Sequence, residues 1–77
     1  MKKDMLINNA IENGYEIDSN NVRTKIRKYR GAKKVFLAEI AEDRPACFYL
    51  EVDNFSEKDI ELLKEIIKYS ETILSER

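Results

Sequence analysis

The sequence predicts a small α+β domain. Three observations carry that expectation: a strongly amphipathic C-terminal stretch with its own start signal, two short β-rich runs before it, and a length of 77 residues that leaves room for one core. The expected order is α-β-β-β-α, a three-stranded antiparallel meander with N- and C-terminal helices on one face. The competing order, α-α-β-β-α, would be winged-helix-like, a helix-turn-helix followed by a wing. Residues 1–77 are expected to form a single domain.

Lys3 to Asn13 reads as the first helix, with Met5, Leu6, Ile7, Ala10 and Ile11 on its apolar side. Gly14 is placed to supply the left-handed residue that ends it, and Tyr15 to fold back on the last turn. Asp18-Ser19-Asn20-Asn21 is a turn or cap cluster. Val22 to Arg30 admits two readings. As a strand it sends Val22, Thr24 and Ile26 to one face and Arg23, Lys25, Arg27 and Tyr29 to the other; as a helix it aligns Val22, Ile26 and Tyr29 and stops at Gly31. The run of Val, Thr, Ile and Tyr favours the strand.

Val35 to Ala41, apolar on both sides, suits a central strand, and Glu42-Asp43-Arg44-Pro45 a turn. Cys47 to Val52 suits a half-buried strand with Phe48, Leu50 and Val52 on one face. The last helix is expected to run from Phe55 to Arg77. Ser56 and Asp59 form an Asp version of the capping box, flanked by Phe55 and Ile60 as a hydrophobic staple. Ile60, Leu62, Leu63, Ile66, Ile67, Tyr69, Ile73 and Leu74 fill one half of its wheel. A stripe of about 100° is enough for a helix lying on one layer, and this one is wider. Leu62, Ile66, Tyr69 and Ile73 are therefore candidates for a protein interface, beside the plainer reading that they are core.

Composition removes most chemistries. Cys47 is the only cysteine and there is no histidine, so an intramolecular disulfide, a zinc finger and every His-based acid, base or nucleophile pair are out of reach. Two glycines cannot write a phosphate-binding loop. Glu51, Asp53 and Asp59 are carboxylates of the kind that hold Mg²⁺ when paired, but Asp53 reads as a strand end and Asp59 as an ordinary capping position. No catalytic residue, metal or cofactor is expected, and Cys47 is expected to be a small buried hydrophobe. No apolar run reaches membrane-spanning length and no signal-peptide pattern follows the first Met, which points to the cytoplasm.

The charge layout is the sharpest feature. Through Lys34 there are nine basic and four acidic residues, net +5; from Val35 on there are five basic and eleven acidic, net −6. Arg23, Lys25, Arg27, Lys28, Arg30, Lys33 and Lys34 hold half of all the Lys and Arg, with Tyr29 among them. Such a run can bind phosphates while an aromatic stacks on a base; it can equally be a solvated face answering the acidic half. An uninterrupted positive face of Arg23, Lys25, Arg27 and Arg30 would favour nucleic acid, and interleaving with Glu39, Glu42 or Glu51 would favour the second reading.

The string of basic strand, second strand, acidic turn, third strand and helix resembles the small RNases of toxin–antitoxin pairs, which can work with Arg, Lys and Tyr alone. The chain departs from them in having one helix before the sheet, and Glu51, Asp53 and Glu57 where they carry further cations. The leading expectation is a small non-enzymatic binding or regulatory protein acting through protein contacts, of the inhibitor or adaptor type found in phages and other mobile elements. Its partner would be another protein or a second copy in a homodimer. The alternatives are a nucleic-acid-binding module using Arg23 to Lys34 and a metal-independent RNase.

Overall fold

A computed structural model describes all residues from Met1 to Arg77. The elements are α1 (Lys3–Glu12), β1 (Glu16–Ser19), β2 (Arg23–Arg30), β3 (Lys33–Ala41), β4 (Phe48–Leu50) and α2 (Ile60–Glu71). Short 3₁₀ turns lie at Val52–Asn54, Glu57–Asp59 and Leu74–Glu76. The α+β meander is present, with four antiparallel strands in the order β1-β2-β3-β4 and not three.

The additional strand is β1. Its four residues carry two carboxylates, which gives them little strand propensity of their own. Pairing supplies the preference instead: Glu16 lies opposite Arg27 and Asp18 opposite Lys25, while Ile17 meets the buried Ile26. The turn foreseen near Asp18 contracts to Asn20–Val22, where Asn20 Oδ1 accepts from the N–H groups of Val22 and Arg23 at 2.8 and 3.0 Å. Val22 is thus exposed in a turn, off the strand face assigned to it. Arg23–Arg30 is strand, which removes the winged-helix order.

Between Ile26 and Arg27 the pairing with β3 slips from Ala38 to Phe36, leaving Leu37 as an extra residue. Leu37 and Ala38 are consecutive and both fully buried, an outcome regular alternation forbids. β4 is shorter than the expected Cys47–Val52: Val52 turns into a 3₁₀ segment and is 65% exposed, and Cys47 is exposed, not buried.

α1 ends as its letters suggest. Gly14 has φ +84°, its N–H bonds to Ile11 O, and the Tyr15 N–H reaches Ala10 O at 3.0 Å. Only Leu6 and Ala10 of its apolar residues are fully buried; Met5 and Ile11 are exposed. The foreseen capping box is present, but it closes the 3₁₀ turn Glu57–Asp59 that leads into α2, so α2 starts at Ile60 and not at Phe55. It stops at Glu71, short of Arg77, because Thr72 and Ile73 turn extended and the Arg77 side chain returns to collect the released carbonyls of Ser70 and Thr72 at 2.9 and 3.1 Å.

Both helices lie on one face of the sheet. Leu6 and Ala10 meet Ile26, Leu37, Ala38 and Ile40 from below and Leu62, Ile66 and Tyr69 from beside. Each fully buried Leu or Ile contributes about 1.5–3 kcal/mol. Leu62, Ile66 and Tyr69 are consequently closed off inside the molecule, which corrects their assignment to an interface; of that group only Ile73 is exposed. No helix is long and apolar enough to cross a membrane.

Candidate functional site

With both helices on one side, the other side of the sheet is left without a covering layer. Strand alternation and register place Glu16 and Asp18 of β1, Arg23, Lys25, Arg27 and Tyr29 of β2, Lys34, Phe36 and Glu39 of β3, and Tyr49 of β4 on this open face. Phe36 stacks on Tyr49 with ring centroids 6.0 Å apart. Lys34 Nζ stands 5.9 Å from the Tyr29 ring centroid.

The cations of this face are tied to acids within it. Glu39 pairs with Arg23 at 3.4 Å and Lys25 at 3.8 Å. Glu16 pairs with Lys34 at 2.7 Å through Oε2 and with Arg27 at 3.8 Å through Oε1, and Oε2 also accepts from the Tyr29 hydroxyl at 3.2 Å. The hydrogen bond from Lys34 holds the Glu16 carboxyl below its ordinary range, and the same bond raises Lys34. Tyr49 donates to Glu51 at 3.0 Å, which raises its phenol. The positive face imagined from the letters is therefore interleaved with Glu16, Asp18 and Glu39.

The remaining basic residues go elsewhere. Lys28 points to the helix side, where its Nζ meets Asp59 Oδ2 at 2.5 Å with both side chains largely buried. Arg30 donates to the Asn54 carbonyl at 3.4 Å, and Lys33 sits opposite it at the tip of the β2–β3 hairpin. The structure thus gathers Arg23, Lys25, Arg27, Tyr29 and Lys34 on one face and separates Lys28, Arg30 and Lys33 from them. No family model, curated protein or solved structure matches the chain.

Two buried polar clusters were not legible as such. In the first, Asp59 accepts from Lys28, from the Tyr15 hydroxyl at 2.6 Å, and from the Ser56 N–H and hydroxyl at 2.8 and 3.0 Å. Burial by itself would raise this carboxyl; the donors, Lys28 first, outweigh it and pull it down to about 2. Burial, then the bond to Asp59, pushes the Tyr15 phenol upward. The cluster floors a cleft of about 600 Å³ between the end of α1, the start of α2 and the β2–β3 hairpin.

In the second cluster Glu42 accepts from Tyr69 at 2.5 Å, from Arg77 at 3.3 Å and from the Thr24 hydroxyl. Arg77 also donates to Ala41 O at 2.7 Å and lies 4.6 Å from the Tyr69 ring centroid. Burial and then the bond to Glu42 push the Tyr69 phenol up. The sequence signal for the first cluster was the capping Asp; strand alternation puts Lys28 on the helix side with Thr24 and Ile26, and only the fold brings it to Asp59. Nothing in the letters paired Glu42 with Arg77, which are distant in the chain and brought together only by the fold. No group of three or more Cys, Asp or Glu side chains converges in a metal-holding arrangement.

Proposed function

We propose that this is a small non-enzymatic binding or regulatory protein that acts through protein contacts, with the open sheet face as its working surface. The observation that carries this reading is the pairing of every cation on that face with Glu16 or Glu39. A phosphate backbone gains affinity by neutralising free cations and releasing counterions; here it would first have to displace carboxylates and then lie against them. A protein surface with its own mixed charges can exchange pairs with such a face. Tyr29, Phe36 and Tyr49 add the aromatic area, and the arginines the planar donors, in which protein interfaces are enriched.

A nucleic-acid reading retains one supporting observation: at the hairpin tip no carboxylate pairs with Arg30 or Lys33, and Tyr29 beside them is 54% exposed. Titrating labelled single- and double-stranded RNA and DNA at two salt concentrations separates the two. The expected result is no binding at low salt and intact RNA. Proteins captured by the wild-type chain should be lost with the double variant Arg27→Glu, Tyr29→Ser and kept with Ile11→Ser on the far side. Low-salt binding that falls steeply with salt and vanishes with Arg30→Glu, Lys33→Glu would overturn the protein reading, as would capture indifferent to the face variant.

A further inference from the structure

We propose that the chain pairs with a second copy of itself through the free edge of β4, joining two sheets into one across a two-fold axis at Tyr49. This does not depend on the use made of the open face, because it rests on the backbone edge of β4 and on the helix side of the sheet.

The first support is the direction of the β4 backbone. Ala41 N–H bonds to Cys47 O at 2.9 Å and Glu51 N–H to Leu37 O at 2.8 Å, so Cys47, Tyr49 and Glu51 are the residues whose backbone groups face β3. The N–H and C=O groups of Phe48 and Leu50 then point outward, and β4 has no other neighbour in the sheet. In an antiparallel pair of two β4 strands centred on Tyr49, Phe48 of one copy stands opposite Leu50 of the other. Each such pair exchanges both hydrogen bonds, so every outward group is satisfied.

The second support is an apolar ledge beside that edge. Phe48 lies opposite Ile40 and so belongs to the helix side, yet it is 37% exposed. On α2 the flank away from α1 carries Ile60, Leu63 and Ile67 at helical spacing; Ile60 and Ile67 are 46% and 37% exposed. The orientation of that flank is fixed by two contacts. Asn9 of α1 reaches Glu65 at 2.8 Å on one side, and the Ser70 carbonyl takes the Ala46 N–H of the β3–β4 turn at 2.7 Å on the other. The helix layer therefore stops short of β4, and a copy related by the dyad brings its own Phe48 and α2 flank to the gap.

Charge separates this edge from the opposite one. Arg44 precedes β4 with Asp43 paired to it, so that pair carries no net charge, while Glu51 and Asp53 follow the strand. Antiparallel pairing of two copies therefore sets the acidic end of each against a charge-balanced pair of the other, with no like charges directly opposed. The opposite edge, β1, carries Glu16 and Asp18, and self-pairing there would set like charges against each other. A domain of this size also gains from association, since it buries a smaller fraction of its surface than a larger domain does.

Sedimentation equilibrium over a concentration series is the test. The expected result is a monomer–dimer equilibrium that Ile67→Glu weakens by at least about tenfold and that Ile11→Glu, on the exposed side of α1, leaves unchanged. Register is read independently: with Cys47→Ser, Tyr49→Cys should form an intermolecular disulfide under mild oxidant. Directly opposed residues of a non-hydrogen-bonded pair have Cα atoms about 4.5 Å apart, within disulfide range. A monomer throughout the series would overturn the proposal. A dimer insensitive to Ile67→Glu and uncrosslinked by Tyr49→Cys would overturn the assigned edge.

Discussion

Replacing Arg77 by alanine is expected to lower the free energy of unfolding by about 3 kcal/mol, the cost of stranding one member of a buried ion pair. The Arg77 and Glu42 side chains are 5% and 6% exposed. The guanidinium spends its donors on the carbonyls of Ala41, Ser70 and Thr72 as well as on Glu42, and its plane lies over Tyr69. Alanine would leave a carboxylate and three carbonyls short of a donor and open the end of α2. Arg77→Lys keeps the charge but cannot present a planar fork, so most of the loss should remain. Urea melts of the three proteins decide it. A change in stability below about 0.5 kcal/mol, the usual range for an exposed position, would show that the side chain is not held.

Lys28→Met is expected to cost a similar amount, about 3 kcal/mol, by leaving Asp59 buried without its cation. Its signature is in the pH dependence. With the Asp59 carboxyl held at about 2 in the folded protein against an ordinary 3.8, the unfolded chain binds its proton more readily. The stabilisation is thus present above pH 3.8 and is lost as pH falls toward 2, by about 2 kcal/mol in all. Removing Lys28 raises the folded carboxyl and should shrink this acid-dependent loss. The double variant Lys28→Met, Asp59→Asn should be less damaging than the two single costs added together, because the stranded charge is gone. Melts from neutral pH to pH 2 check both arms; an unchanged acid dependence in Lys28→Met would locate the effect elsewhere.

Local signals were legible in the letters and long-range ones were not. Ser56 and Asp59 announced the start of α2, and Gly14 the end of α1, because each motif completes itself within a few residues. Thr24 and Ile26 announced the inner face of β2 by alternation. β1 escaped notice because its preference for a strand resides in Arg27, Lys25 and Ile26 across the hairpin. The bulge at Leu37 hid behind a run that is apolar on both sides, where a slip of one residue changes nothing in the pattern. The width of the α2 stripe was real, but its centre and its flank have different fates. Leu62, Ile66 and Tyr69 cover the sheet, whereas Ile60 and Ile67 look outward. The basic run is continuous in the letters, and the fold sorts it into an acid-paired face, a buried Lys28 and a hairpin tip.

The two polar clusters sit at opposite ends of α2. Asp59 fastens its first turn to β2 and Tyr15, and Tyr69 with the Ser70 carbonyl fastens its last turn to the end of β3, the β3–β4 turn and Arg77. A helix pinned at one end loses its other end by fraying, and its terminal amides exchange with solvent long before the protein unfolds. Pinned at both, α2 has no loose end from which to peel, so its amides should exchange in step with those of β2 and β3. Hydrogen–deuterium exchange in which the ends of α2 open well ahead of the central strands would show that the clamps do not hold. If they do hold, the helix and the sheet form one cooperative unit, and the protein has no partly open form that keeps its sheet while releasing α2.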